Sequence, residues 1–371
     1  MDILVVIGTR PEAIKMAPLI RRLRGESSVR VNLCATGQHR EMFATALEPF
    51  EIETDFNLDL MREAQPLADL TAAVLRGLQG ILDEIRPDIV LVQGDTSSTF
   101  AASLAAFYAG VRVGHVEAGL RTGDPLAPWP EELNRRLTAQ VAHWHFAPTE
   151  TARSNLLAES IAPNRIFVTG NTVIDALEWI LSSMGDQLRE NIRNRFPFLA
   201  DDKKLLLATV HRRENQRGGA ARVCAALRTL ARREDINVLL PVHPNPAIKP
   251  VVEEILGSTP RVHLVEPLDY FEFVATMNEA HLIVTDSGGV QEEAPYLGVP
   301  VLVTREKTER PEAVAVGAAR LVGTDTAEIL RQSYMLLDDR DAHEAMASTS
   351  SPFGDGLASA RIAKVLLNTP R

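Results

Sequence analysis

Short strand-like runs alternate with longer helix-like segments along the whole chain, and this alternation constrains the fold more than any other feature. Runs rich in Val, Ile and Leu form a first series at 2–8, 29–36, 87–95, 111–119, 143–149 and 165–171. A second series lies at 204–211, 236–243, 261–267, 281–288 and 299–305. Buried strands separated by helices form a parallel sheet that is covered on both faces. We therefore predict two α/β halves with the same architecture.

The length of the chain agrees with two domains. It has 371 residues, whereas single hydrophobic cores usually stop growing at about 250–300 residues. A long helix is expected from Thr172 to about Asn194. We place the domains at 1–169 and 170–355, and we expect the last helix, within 356–371, to pack back onto one of them.

Composition and charge limit the classes of partner and the cellular location that we expect for the chain. Apolar residues make up 45% and charged residues 24% of the chain, as in ordinary globular enzymes. The formal net charge is -10, and no basic run is interleaved with aromatic residues, so we expect no nucleic-acid partner. The start of the chain does not resemble a signal peptide and no apolar run has transmembrane length, so we expect a cytoplasmic protein with no membrane partner. Cys34 and Cys224 have no metal-ligand spacing and are expected to be buried and reduced.

Unusual polar clusters follow the strands at their carboxyl ends. They read GTRPE, QGDT, VEAGLRTGD, TVHRREN and TDSGGVQEE. Open parallel sheets bind ligands at this edge, so we predict that the clusters line one cleft. The motifs GxxxxGK[ST], GxGxxG, HExxH and GxSxG do not occur in the sequence. ATP, nicotinamide and zinc chemistry are therefore disfavoured.

Two strand-to-helix turns have the composition of an anion site. In GTRPE, Arg10 stands at a helix N-terminus and Lys15 lies about one turn further on. An ordinary ion pair would explain Arg10 equally well. In TDSGG, Ser287, Gly288 and Gly289 open a helix whose N–H groups could hold a diphosphate, although a plain glycine-rich turn is the alternative.

Charged residues follow the second turn. Glu292 and Glu293 begin a helix, where their carboxylates would hold ribose hydroxyls or simply suit the helix dipole. Arg310, in TERPEAV, is expected at the same sheet edge as a second cation for phosphate. A surface ion pair is the competing explanation for Arg310.

Four further residues are candidates for acid–base chemistry. Asp95, Glu117 and Glu131 end strands or begin a helix at the same predicted edge, where they would converge. Each of them taken alone is equally well explained as a helix cap or an ion-pair partner. His211 ends the strand LLLATVH and would present an imidazole from the second half, with a structural role as the alternative.

Nine motifs occur in one order along almost the whole chain. They are GTRPEAIKMAP (8–18), GDT (94–96), GHVEAGLRTGD (114–124), PWPEE (128–132), TGNTVIDAL (169–177), HRREN (211–215), TDSGGVQEEAP (285–295), TERPEAV (308–314) and PFGDG (352–356). In this respect the chain resembles the non-hydrolysing UDP-N-acetylglucosamine 2-epimerases. The resemblance implies two Rossmann-like domains in a glycosyltransferase-B-like arrangement, with an interdomain active-site cleft and the last helix on the N-terminal domain.

The resemblance also implies a reaction. It is the reversible conversion of UDP-N-acetylglucosamine into UDP-N-acetylmannosamine, by anti elimination of UDP to 2-acetamidoglucal and syn re-addition. No cofactor and no metal are implied, and the expected partner is the UDP-sugar substrate. A homodimer is expected because it is the commonest symmetric assembly of soluble proteins.

The family's functional positions carry over onto matching residues. Those implied to bind substrate are Arg10, Lys15, Phe271, Ser287, Gly288, Gly289, Glu293 and Arg310. Those implied to be catalytic are Asp95, Glu117, Glu131 and His211. The carboxylates are expected to share proton removal and delivery while His211 assists at the departing diphosphate. Which carboxylate serves which face of C2 stays open.

Some bacterial relatives have a second pocket where substrate activates the enzyme. Gln38, Arg212 and His243 lie in segments that would line such an allosteric pocket, whereas Ala64 stands where some relatives have a basic residue. Three other functions compete with the main hypothesis. They are a 2-epimerase for a modified substrate such as a UDP-diacetamido-uronic acid, a glycosyltransferase, and a non-catalytic UDP-sugar sensor.

Overall fold

A computed structural model describes residues 1–37, 40–60, 62, 65–211 and 218–368. The chain divides into two compact units. The N-terminal unit comprises Met1–Glu178 and Phe353–Arg371, and the C-terminal unit comprises Trp179–Pro352.

The N-terminal unit contains a seven-stranded parallel sheet. Its strands are β1 (Asp2–Ile7), β2 (Arg30–Ala35), β3 (Phe56–Asn57), β4 (Ile89–Gln93), β5 (Arg112–Val116), β6 (Trp144–Ala147) and β7 (Ile166–Val168). They are arranged in the order β3-β2-β1-β4-β5-β6-β7. The order reverses between β1 and β4, and doubly wound sheets bind ligands at such a switch point.

Helices cover the strands of this sheet. They are α1 (Arg10–Arg24), α2 (Arg40–Leu47), α3 (Leu67–Ile85), α4 (Ser97–Tyr108), α5 (Glu131–Val141), α6 (Glu150–Ala158) and the first part of α7 (Thr172–Arg195). Short 3-10 turns lie at Glu48–Phe50 and Pro163–Arg165 in this unit, and at Pro197–Ala200 in the C-terminal unit. Part of the core forms where Leu4 and Val90 of the sheet pack with Val74 and Leu78 of α3. The strands are almost continuously apolar because both faces of the sheet are covered.

The C-terminal unit repeats this plan with six parallel strands. They are β8 (Lys204–Thr209), β9 (Ile236–Pro241), β10 (Val262–Val265), β11 (Leu282–Thr285), β12 (Val301–Val303) and β13 (Ala319–Leu321). The helices are α8 (Gly219–Leu230), α9 (Lys249–Leu256), α10 (Tyr270–Glu279), α11 (Gly288–Glu293), α12 (Pro311–Ala315), α13 (Thr326–Asp338) and α14 (Arg340–Ala347). The strand order is β10-β9-β8-β11-β12-β13, so the switch point lies between β8 and β11.

The chain ends on α15 (Ala358–Leu367), which packs against α1. The buried carboxylate of Asp175 accepts the N–H groups of Ala358 at 3.1 Å and Ser359 at 2.6 Å. It therefore caps α15 from a distant part of the sequence. None of the described helices is both long and apolar enough to span a lipid bilayer.

The structure confirms the two predicted parallel-sheet halves. It adds β3 and β13, which no strand-like run predicted, and these strands are only two and three residues long. The division between the two units falls inside α7. The boundary expected between 169 and 170 stays a prediction.

Candidate active site

The turn after β1 presents Arg10 at the switch point of the N-terminal sheet. Thr9 caps α1, because its hydroxyl accepts the N–H of Glu12 at 3.4 Å, and Pro11 occupies the first turn of the helix. Arg10 is exposed, and among the described residues no ion pair or hydrogen bond holds its side chain. Within the described residues, its guanidinium is therefore accessible to a ligand.

Lys15 and Glu117 form a closely spaced pair at the same edge. The Nζ atom of Lys15 lies 2.6 Å from Oε2 of Glu117, and Nε2 of Gln93 donates to the same oxygen at 2.9 Å. Glu117 is 8% exposed. Its φ of 63° lies in the left-handed region, which non-glycine residues rarely adopt and which is often found at functional sites.

Asp95, directly after β4, is held by α5. One carboxylate oxygen accepts from Nε of Arg135 at 2.8 Å, and the backbone carbonyl accepts from Asn134 at 2.9 Å. The guanidinium of Arg135 also contacts the buried carboxylate of Glu132 at 3.1 Å. The Asp95 side chain remains 29% exposed. It is therefore fixed in position but accessible to a ligand.

Glu131 and Glu132, which begin α5, have different surroundings. Glu132 is fully buried and accepts from the N–H of Thr122 and from Arg135 and Arg136. Glu131 is half-buried, and within the described parts of the chain no hydrogen bond or ion pair holds its carboxylate. The first of the two adjacent acids is thus the one available to a substrate.

At the switch point of the C-terminal sheet, His211 is paired with Asp286. Nδ1 of His211 lies 2.8 Å from Oδ1 of Asp286, and the backbone N–H of His211 donates to Oδ2 at 2.9 Å. Asp286 is fully buried, whereas the His211 side chain is 30% exposed. The carboxylate fixes the ring and directs Nδ1 inward, which leaves Nε2 for a ligand. The ring of His243 lies 5.7 Å away, nearly parallel to it.

The glycine-rich turn after β11 leaves room for a ligand. Ser287 donates its N–H to Thr285 at 2.9 Å, and its carbonyl accepts from Gln291 at 2.9 Å. The N–H groups of the first turn of α11 have no acceptor within the helix. A Cβ atom placed on Gly289 would meet nothing closer than Glu293 Oε2, at 3.8 Å. Donors and open space therefore coincide at this turn.

Two aromatic residues lie at the start of α10, next to this turn. The hydroxyl of Tyr270 donates to Oε1 of Glu293 at 2.5 Å. Burial and the neighbouring carboxylate of Glu293 raise the pKa of Tyr270 well above its usual value, so the phenol stays protonated. Phe271 is half-buried with its ring at 5.9 Å from that of Tyr270.

Arg310 lies between two carboxylates. Its Nε atom donates to Glu292 at 2.6 Å, and Nη1 donates to Glu309 at 2.8 Å. The side chain of Arg310 is only 12% exposed, and that of Glu292 is 1% exposed. This buried arrangement is not the surface ion pair considered from sequence. Arg310 as a cation for phosphate stays a prediction.

The structure brings Lys15 and Glu117 into contact in the N-terminal unit, and in the C-terminal unit it pairs His211 with Asp286 and Arg310 with Glu292. Gln38, Arg212 and Ala64 lie outside the described residues, and of the predicted allosteric set only His243 is described. Sequence reasoning did not identify the partners Asp286 and Arg135. Asp286 had one available signal, since it lies within the strand-like run 281–288, at the predicted end of the strand.

Comparison with known proteins shows the family. A family model described as UDP-N-acetylglucosamine 2-epimerase matches residues 21–367. The chain is 51% identical to the UDP-N-acetylglucosamine 2-epimerases of Escherichia coli K12 and Yersinia pestis, with 99% of each chain covered.

Solved structures agree with the sequence relatives. The UDP-GlcNAc 2-epimerase of Neisseria meningitidis, bound to UDP-GlcNAc, is similar with a TM-score of 0.93 and 46% identity over 100% of both chains. The Methanocaldococcus jannaschii UDP-GlcNAc 2-epimerase, in complex with UDP-GlcNAc and UDP, has a TM-score of 0.82 and 34% identity over 100% of both chains. These likenesses confirm the predicted glycosyltransferase-B-like fold class with two Rossmann-like domains. The chain is an enzyme that belongs to the UDP-N-acetylglucosamine 2-epimerase family.

Proposed function

We propose that this enzyme interconverts UDP-N-acetylglucosamine and UDP-N-acetylmannosamine without an added cofactor. The observation that carries the proposal is the likeness, over the whole chain, to a 2-epimerase with UDP-GlcNAc bound. The two switch points support it, because one provides fixed carboxylates and the other provides N–H donors and a fixed histidine.

The proposed reaction begins with departure of UDP. The C2 proton of the sugar is not adjacent to a carbonyl group and is barely acidic. Lengthening the C1–O bond gives C1 cationic character, which acidifies that proton. In the proposed anti elimination, the C1–O electron pair leaves with UDP, a carboxylate takes the C2 proton, and a C1–C2 double bond forms. Syn re-addition of UDP and a proton to the 2-acetamidoglucal then gives the epimer.

Diphosphate binding is assigned to Arg10 and the turn of Ser287, Gly288 and Gly289. A guanidinium and N–H groups aimed at developing phosphate charge stabilise a departing diphosphate, and this kind of stabilisation is usually the largest catalytic contribution. Arg10 has no competing acidic partner among the described residues. His211, oriented by Asp286, is assigned to assist at the same leaving group through Nε2.

Proton transfer at C2 is assigned to Asp95, Glu117 and Glu131. Asp95 is paired with Arg135, and Glu117 is paired with Lys15. Glu131 is the acid with no described partner. Because the two epimers carry the C2 proton on opposite faces, the reaction needs acid–base groups on both. Their assignment to the two faces stays open.

The nucleoside end of the substrate is assigned to Phe271 and Glu293. Phe271 supplies an aromatic ring for contact with the base, and Glu293 supplies a carboxylate for the ribose hydroxyls. Tyr270 fixes that carboxylate by its hydrogen bond at 2.5 Å.

We also propose that the chain forms a homodimer. Trp129, Leu133 and Leu137 lie four residues apart at the start and along one side of α5, and they are 63%, 44% and 37% exposed. Exposed apolar surface of this kind is common at subunit contacts. Light scattering on the wild type and on Leu137→Glu tests this proposal by comparing their masses in solution. If both proteins are dimers, this side of α5 is not the dimer contact.

A turnover comparison tests the substrate. UDP-N-acetylglucosamine and a UDP-diacetamido-uronic acid are supplied separately, and the epimers are followed by NMR. Efficient conversion of the first and little of the second is expected. The reverse preference would move the assignment to the modified sugar, and binding of UDP-N-acetylglucosamine without conversion would favour a sensor.

A further inference from the structure

Glu12 is a buried carboxylate to which no role has yet been assigned. It lies in the first turn of α1 and is 3% exposed. Oε2 accepts the backbone N–H of Gly8 at 2.6 Å, and Oε1 accepts the hydroxyl of Thr9 at 3.0 Å. Both carboxylate oxygens therefore close the turn from which Arg10 projects.

The same turn packs closely against the next loop at the switch point. A Cβ atom on Gly8 would lie 2.6 Å from Cβ of Ser98, at the start of α4. Asp95 and Thr96, in the turn after β4, lie close enough to Glu12 to change its pKa, Asp95 raising it and Thr96 lowering it. Glu12 thus lies where the turns after β1 and β4 meet.

We propose that Glu12 is a positioning residue, whose carboxyl group holds the turn that carries Arg10 against the turn that carries Asp95. This rests on the function proposed above, in which Arg10 binds the diphosphate and Asp95 takes part in proton transfer. Glu12 itself is buried beneath the turn and acts through these two residues.

The hydrogen-bonding groups around Glu12 suit both of its protonation states. The N–H of Gly8 can only donate, and either form of a carboxyl group has an oxygen to accept it. The hydroxyls of Thr9 and Thr96 can donate or accept. Protonation therefore changes the charge of Glu12 while leaving the turn closed.

That change of charge falls near neutral pH. Burial, with a smaller contribution from Asp95, raises the pKa of the Glu12 carboxyl group to about 7, against hydrogen bonds that lower it. Arg10 and Lys15 are the cations nearest to it along α1, and Glu117 from β5 is paired with Lys15. Above pH 7 a negative charge is added beside Asp95, so an anionic ligand at Arg10 binds less tightly there than below pH 7.

Calorimetry of UDP binding at about pH 6 and about pH 8 tests the positioning role, together with kcat and KM. The variants are Glu12→Gln, which keeps an acceptor for Gly8 and has no charge, and Glu12→Ala, which removes the contact. Asp175→Asn is the matched control, because Asp175 is a buried carboxylate in the same unit that also accepts backbone N–H groups.

Four results are expected. Glu12→Ala weakens UDP binding about tenfold at both pH values, and Glu12→Gln restores the wild-type affinity at about pH 6. The wild type loses roughly three- to tenfold more affinity than Glu12→Gln between the two pH values. The phosphate of UDP titrates in the same way with the wild type and with Glu12→Gln. The difference between their losses of affinity therefore measures the effect of the Glu12 charge. Asp175→Asn behaves like the wild type.

Other outcomes separate this inference from the proposed function. Wild-type UDP affinity and kinetics in both Glu12 variants, with normal epimerisation, overturn the positioning role and leave the function intact. Loss of UDP affinity in Asp175→Asn equal to that in Glu12→Ala also overturns it, because any buried carboxylate would then have the effect. If the wild type does not epimerise UDP-N-acetylglucosamine but the UDP affinities of the variants change as expected, the proposed function is overturned and the positioning role of Glu12 is not.

Discussion

At the switch point of the seven-stranded sheet, carboxylates are held by cations, whereas at that of the six-stranded sheet a histidine is held by a carboxylate. Glu117 and Asp95 are paired with Lys15 and Arg135, at 2.6 and 2.8 Å. His211 is paired with the buried Asp286 at 2.8 Å. The six strands of the second sheet have the same order as β1–β6 of the first. Topology therefore determined where each group of residues lies, and local side chains determined its chemistry.

The two candidate arginines, Arg10 in the N-terminal unit and Arg310 in the C-terminal unit, differ in their exposure and in their acidic partners. Arg10 is exposed and has no acidic partner among the described residues, while Arg310 is largely buried and contacts Glu292 and Glu309. An exposed guanidinium is available to an anionic ligand. Removing a largely buried one that contacts two carboxylates leaves a buried charge without its partner, which destabilises the fold.

The largest expected effect is on the acids of the N-terminal unit. Asp95→Asn or Glu117→Gln should lower kcat roughly 100- to 10,000-fold, the range for a lost general acid or base, while UDP affinity changes little. Steady-state kinetics and calorimetry on the same samples measure both quantities. Near-normal turnover in both variants would remove these residues from the chemistry.

Arg310→Ala should chiefly reduce stability. Removing the guanidinium takes a cation from Glu292, which is 1% exposed, and breaking a buried pair costs about 3–5 kcal/mol. The free energy of unfolding in urea checks this value. A fully stable variant that has lost UDP affinity would show that Arg310 serves the ligand alone.

Arg10→Ala should chiefly reduce UDP affinity and leave stability unchanged. The expected loss is roughly 1.5–3 kcal/mol of UDP binding, as for a hydrogen bond to a charged group, with the free energy of unfolding unchanged. Calorimetry and urea unfolding provide the two values. Unchanged UDP affinity would contradict the diphosphate site at this turn.

The smallest effect is expected for Asp286→Asn. The amide oxygen still accepts from the backbone N–H of His211, but the –NH2 group replaces the oxygen beside Nδ1. Both the negative charge and the acceptor for Nδ1–H are therefore lost. A reduction of kcat of roughly three- to tenfold should result, with the His211→Ala variant as the reference for complete loss of the ring. If Asp286→Asn and His211→Ala lost the same activity, Asp286 would do more than orient the ring.

Much of the fold was predictable from periodicity, because strands covered on both faces are apolar throughout. The strands β3 and β13 were not, since two or three residues give no periodic signal. The candidate residues of the site could be identified from their places at strand ends. Their partners could not, because Arg135 reaches Asp95 across 40 residues of sequence and Asp286 reaches His211 across 75.

The pairing of Arg310 shows the other limit of the sequence. The local sequence of an arginine before a proline in a loop does not show whether its guanidinium binds a phosphate or a carboxylate. Glu309 precedes Arg310 in the sequence, but only packing places Glu292 against it. Arg10 differs from Arg310, because no ion pair holds its side chain among the described residues.

The most direct test of the central claim is incubation of the purified enzyme with UDP-N-acetylglucosamine in deuterium oxide, without added cofactor. The anomeric and C2 proton signals are followed by NMR. We expect UDP-N-acetylmannosamine that carries deuterium at C2, since the proton must leave that carbon and be replaced from solvent. Product that keeps its original hydrogen at C2, or no product in a sample that binds UDP, would contradict it.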